Sequence, residues 1–145
     1  MIDINKEIKT AMLAKDSVRL ASLRAIKTAF MLAETEKGAS DLTIQRQINI
    51  IQKQVKQRKD AASIYQKQGR IDLAADEMAQ VAVLETFLPE QISEEEIENV
   101  LKVIIADLGA SSMADMGKVM GLANKQLSGQ ADGKFIAAKA RQLLK

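Results

Sequence analysis

Apolar residues recur at steps of three and four along nearly the whole of this chain, and a single proline, Pro89, interrupts the pattern. Such steps stack side chains on one face of a helix, which turns once every 3.6 residues. The apolar mass is carried by Ile, Leu, Val, Met and Ala, with only 3% aromatic residues, a mixture that favours helix over sheet. The chain therefore reads as all-α. Pro89 follows a helical stretch ending in Phe87-Leu88, where the ring stops a helix, and Ser93 with Glu96 three places on forms a capping box that opens the next one. Two domains are expected: a four-helix N-terminal lobe over 1–90 and a smaller three-helix lobe over 91–145. The length suffices for a sizeable core.

In the first lobe, Ile4, Ile8, Ala11 and Met12 mark a short amphipathic helix, and Asp16 caps a second that runs to Glu36 with Gly38 as its stop. That second helix has Leu20, Leu23, Ile26 and Phe30 on one stripe and Ala21, Ala25, Ala29 and Leu32 on another, so it is expected to be central. A third helix, about 43–68, carries Ile44, Ile48, Ile51, Val55, Ala62 and Tyr65. At 1.5 Å per residue it is about 39 Å long and should act as a spine. The turn at Gly69-Arg70 leads into a fourth helix, about 71–88, making a long antiparallel hairpin. Beyond Pro89, Ile97, Leu101, Ile104 and Leu108 define a fifth helix closed by Gly109. Ser112 caps a sixth, whose expected buried stripe is Met113, Met116, Met120, Ala123 and Leu127. Gly129 ends it, and Asp132 starts a seventh containing Ile136, Ala140 and Leu143.

Much chemistry is excluded by what the chain lacks. Without Cys there are no disulfides, thiolate metal sites or thiol nucleophiles, and without His the commonest general base and metal ligand is gone. Ser111-Ser112 has no base to activate it, and Ser112 is explained as a helix cap. The acids Glu94, Glu95, Glu96 and Glu98 suit the positive end of a helix dipole rather than a metal. No catalytic residue, metal or cofactor is assigned. The first residues, with Asp3 and Glu7 among them, form no apolar h-region, and no apolar run approaches the roughly 20 residues that span a bilayer. This reading expects no membrane association and a cytoplasmic location.

Charge is the remaining signal. The net charge is only +2, yet residues 43–70 hold seven bases and one acid, Asp60, and residues 113–145 hold six bases against Asp115 and Asp132. On the third helix and its turn, Arg46, Lys53, Lys56, Lys59, Lys67 and Arg70 mostly point away from the apolar stripe, and the near absence of acids removes most of the i,i+4 pairs of an ordinary solvated surface. They form either a polyanion-binding ridge or a plain solvated face. Arg58 stands where the repeat wants an apolar side chain between Val55 and Ala62. A buried guanidinium needs a partner. Across the hairpin Glu77 and Glu85 lie within reach, so Arg58 makes an internal ion pair or else contacts a ligand. On the sixth helix Gly117, Gly121, Lys118 and Lys125 share a flank that admits the close approach of a neighbouring helix or of a nucleic-acid strand. The loop 128–134 leads glycines into a helix N-terminus, a geometry that binds phosphate oxygens, although Asp132 competes for that cap. Lys134 remains as a phosphate contact.

Several of these segments form an ordered series. Val55-Lys56-Gln57-Arg58-Lys59-Asp60, then Gly69-Arg70 with Asp72-Leu73-Ala74, Val83-Leu84-Glu85 before Leu88-Pro89, and Met116-Gly117-Lys118-Val119-Met120-Gly121 before Ala131-Asp132-Gly133 resemble the YqeY family over nearly the whole chain. That family is similar to the C-terminal tail domain of the B subunit of the tRNA-dependent amidotransferase and to a module appended to some glutaminyl-tRNA synthetases. The resemblance implies tRNA binding by a helical body while chemistry is done elsewhere. It points to Lys56, Lys59, Arg70, Lys118 and Lys134 as RNA contacts, with Arg58, Glu77 and Glu85 kept as a structural ion-pair group.

The leading expectation is a stand-alone tRNA-binding accessory module, with an aminoacyl-tRNA synthetase or amidotransferase as its partner. Tyr65, Phe30, Phe87 and Phe135 are too few for base stacking, so recognition is expected to follow the backbone. One alternative is a helical adaptor whose basic ridge meets an acidic protein surface. Another is participation in glutamine-dependent amide transfer, a carbon-nitrogen ligase role that rests on family association alone.

Overall fold

The computed structural model describes residues 2–36, 38 and 41–145. Most of its helices begin where short polar side chains offer an acceptor to a free backbone N–H. Asp3 accepts from the Lys6 amide and opens α1 (Ile4–Leu13), and Asp16 accepts from the Arg19 amide and opens α2 (Ser17–Thr35). Thr43 caps α3 (Ile44–Lys67), which the Gly69 turn joins to α4 (Ile71–Glu85). Ser93 caps α5 (Glu94–Leu108), closed by Gly109 at φ 62° in the left-handed region where a Cβ is strained. Ser112 caps a single 3-10 turn, Met113–Asp115, that runs into α6 (Met116–Gln126), and Asp132 caps α7 (Gly133–Leu143). The described residues are all-helical.

Packing divides the chain into two compact units, Met1–Leu88 and Pro89–Lys145. In the first, Ala11, Leu23, Ile26, Phe30, Ile51, Val55, Val81 and Leu84 form the core. Each fully buried Leu or Ile of this kind contributes about 1.5–3 kcal/mol. Arg19 ties its surface together: its guanidinium bonds Glu7 of α1 at 2.9 Å and lies 5.4 Å over the Phe87 ring. The α1–α2 turn places Lys15 at φ 55°, with the Asp16 amide reaching back to the Ala11 carbonyl. A non-glycine residue there carries strain that the sequence pattern did not disclose.

The second unit has its own core of Ile97, Leu101, Ile104, Val119, Ala123, Leu127, Ile136, Ala140 and Leu144. Its entry segment is clipped to the α6–α7 loop. The Gln91 side-chain amide donates to the Gly129 carbonyl at 2.6 Å and to the Pro89 carbonyl at 3.1 Å, and the Ile92 amide donates to the Gln130 carbonyl at 3.2 Å. Gly129 is buried with φ 77°, so no side chain comes between the loop and this clip.

Four expectations need correction. The second stripe of α2 is not a core stripe: Ala21 and Leu32 are exposed, and the helix buries Ser22, Leu23, Ile26, Phe30 and Ala33 instead. On α3 the buried face starts at Gln47 rather than Ile44, because Gln47 accepts from the Ile2 amide while Ile44 faces outward. Helix α4 ends at Glu85, three residues early, where Thr86 bonds the Val83 carbonyl and turns the chain before Pro89. On α6 the sequence pattern missed Val119, which is as fully buried as Ala123, with Met116 and Met120 partly buried beside that core and Met113 exposed in the 3-10 turn, off the helical repeat.

Candidate nucleic-acid interface

In the first unit the cations of α3 divide by face. Arg58 continues the buried stripe Ile51, Val55, Ala62, and its Nη1 stands 3.3 Å from Glu77 Oε2, with the two side chains 20% and 23% exposed. Arg58 Nε and Gln54 Oε1, one turn apart, are buried side-chain atoms without a hydrogen-bond partner, so the guanidinium is only partly satisfied. Glu85 does not join Arg58. It holds Lys59 Nζ at 3.1 Å, which turns one candidate RNA contact into a second rung between α3 and α4. Arg46 pairs with Glu36 at 3.7 Å and donates to the Ala33 carbonyl, and Arg70 Nε lies 3.6 Å from Asp72.

What is left of the ridge is narrower than the sequence suggested. Lys53, Lys56 and Lys67 fall within about 60° on the side of α3 opposite Ile51 and Val55, with Asp60 between them. Lys53 and Lys67 are exposed and Lys56 is half-buried. Among the described residues, no ion pair involves Lys53 or Lys67.

The second unit separates its cations in the same way. Lys139 Nζ bonds Glu94 Oε1 at 2.7 Å and ties α7 to the start of α5. That hydrogen bond holds the ammonium above its ordinary value of 10.5, against the pull of burial and with added support from the charges of Glu94 and Glu98. By contrast Lys118, Lys125 and Lys134 are exposed, and no ion pair among the described residues involves them. Lys125 lies in the last turn of α6 and Lys134 in the first turn of α7, bracketing the loop that Gln91 clips. The Asp132 carboxylate takes the Lys134 amide, so the N-terminus of α7 has its own cap.

Gly117 and Gly121 lie with Lys118 and Lys125 within about 100° on the side of α6 away from Val119 and Ala123. A Cβ built on either glycine meets nothing within 4 Å. Close helix packing, one of the two readings of these glycines, therefore has no neighbour to serve there. No group of three or more metal-ligating side chains occurs among the described residues, and no helix is long and apolar enough to cross a membrane.

The profile of the Yqey-like protein family matches residues 2–144. The chain belongs to the YqeY family. Curated relatives of this YqeY chain include "Altered inheritance of mitochondria protein 41, mitochondrial" of Kluyveromyces lactis, 27% identical over 95% of this chain and 72% of that protein. The protein of the same name from Vanderwaltozyma polyspora is 28% identical over 74% of this chain, which covers 60% of it. That from Pyrenophora tritici-repentis is 27% identical over 97% of this chain and 78% of its own length. These names overturn the cytoplasmic location expected from the sequence, since the relatives are named as mitochondrial proteins. The physical ground for that expectation was narrow: an apolar h-region is a feature of secretory signals and says nothing of mitochondrial addressing.

Proposed function

We propose that this YqeY protein is a tRNA-binding accessory module that holds folded RNA by its backbone and leaves covalent chemistry to a partner enzyme of tRNA-dependent amidation or glutaminyl-tRNA synthesis. The observation that carries the reading is the sorting of cations. Arg58, Lys59 and Lys139 join helices through carboxylates, whereas Lys53, Lys67, Lys118, Lys125 and Lys134 are exposed and make no ion pair among the described residues. Fold stability has no need of an unpaired lysine on an outer face, while phosphate binding does. The open glycine flank of α6 supports the same reading, because a backbone without side chains admits another backbone closely. The pairing of Lys59 with Glu85 moves weight from Lys59 to Lys53, Lys67 and Lys125 as contacts.

Fluorescence titration of labelled tRNA across a salt series tests this. Contact with about four to six phosphates gives a log–log slope of roughly −3 to −5. Charge reversal of Lys118 and Lys125 is expected to weaken binding with helicity unchanged. Affinity that ignores both salt and these substitutions defeats the proposal.

A further inference from the structure

Helix α4 has an apolar face that its own unit does not use. Inward it buries Ala74, Val81 and Leu84. Beside that face a second stripe runs Ile71, Ala75, Met78, Ala82, at steps of four, three and four, and all four residues are exposed, Ile71 by 71% and Met78 by 43%. A helix apolar on two faces ordinarily has a neighbour on each. This stripe also has the spacing by which one helix seats another.

Charge narrows the occupant. From Ile71 to Glu85 the helix carries Asp72, Asp76, Glu77 and Glu85 and no basic residue. Glu77 and Glu85 are engaged by Arg58 and Lys59. Asp72 and Asp76 lie one turn apart along the outer edge of the stripe, both exposed, with the neighbouring Arg70 3.6 Å from Asp72. A second copy laid antiparallel on the stripe brings Asp76 close to its own counterpart, which disfavours self-pairing. An anionic lipid surface is repelled by the same edge. We infer that the outer stripe of α4 is a docking surface for an amphipathic helix of a protein partner, with apolar residues at heptad spacing and lysine or arginine along the flank that meets Asp72 and Asp76. This surface is independent of the RNA reading and lies on a different helix from the outward lysines of α3 and α6.

The test uses the whole chain and two dye-labelled synthetic helical peptides of 18 residues or so, sharing one leucine heptad and differing only in lysine or glutamate along the flank. Fluorescence anisotropy is expected to show the lysine peptide binding about tenfold or more tightly than the glutamate peptide at low salt, with the gap closing at high salt. Asp72→Asn with Asp76→Asn is expected to remove that preference, and Ala75→Arg to abolish binding of both, at unchanged helicity. Met78→Glu serves as a second blocking variant should Ala75→Arg misfold. Equal binding of the two peptides, or affinity indifferent to Ala75→Arg and Met78→Glu, overturns the inference. So does a dimer in sedimentation that Ala75→Arg dissolves, vesicle binding lost on the same substitution, or tRNA that shifts the Met78 methyl resonance.

Discussion

Arg58 shows how far a single position can be read. The repeat of α3 asks for an apolar side chain there, and the register of the hairpin puts two carboxylates within a turn of it; which of them it takes depends on side-chain packing that register leaves undetermined. The structure gives Glu77 to Arg58 and Glu85 to Lys59. Arg58→Ala or Glu77→Ala alone is expected to cost about 1–3 kcal/mol in urea titration, because the remaining charge stays half-buried without its partner. Replacing both with Met and Leu should be nearly neutral, and it also removes the unpaired Arg58 Nε. Lys139 makes a pH prediction with a definite sign. Its folded pKa is raised, mainly by the hydrogen bond to Glu94, so the stability it contributes is fully present below about 10.5 and is lost as pH rises through the folded value. Lys139→Met should therefore melt lower than the parent at pH 8, with the gap closing above pH 10.5.

At the scale of the helix, starts were more legible than faces. Asp16, Thr43, Ser93, Ser112 and Asp132 each cap by a local bond, and local bonds are written in neighbouring residues. Faces depend on what packs opposite. The alanines of α2 could not be told from a second core stripe, and the methionines of α6 obscured Val119, which is fully buried while Met116 and Met120 pack against its core only partly buried. Gly117 and Gly121 make the sharpest prediction here. With nothing within 4 Å of either Cβ, Gly117→Ala and Gly121→Ala should each stabilise α6 by about 0.5–1 kcal/mol in thermal or urea unfolding. If RNA backbone approaches this flank, the same substitutions weaken tRNA binding. A gain in stability with unchanged affinity removes the flank from the interface.

For the molecule as a whole, the near-neutral net charge conceals a division of labour. Its 21 bases and 19 acids almost cancel, but Glu77, Glu85 and Glu94 hold helices together through Arg58, Lys59 and Lys139, and other bases lie on outer faces. Each outward lysine that meets a phosphate should remove about one unit from the salt slope when replaced by Met. Lys53 and Lys67 replaced together, and Lys118 and Lys125 replaced together, thus count the contacts made by each unit separately.

The clip at Gln91 has a consequence for how the protein ages. Its carboxamide nitrogen gives hydrogens to two main-chain oxygens, those of Pro89 and Gly129. Slow spontaneous deamidation, equivalent to Gln91→Glu, exchanges that donor for an anionic oxygen facing the same carbonyls. A clasp becomes a repulsion, and old molecules should release the loop before Lys134 while their helices stay intact.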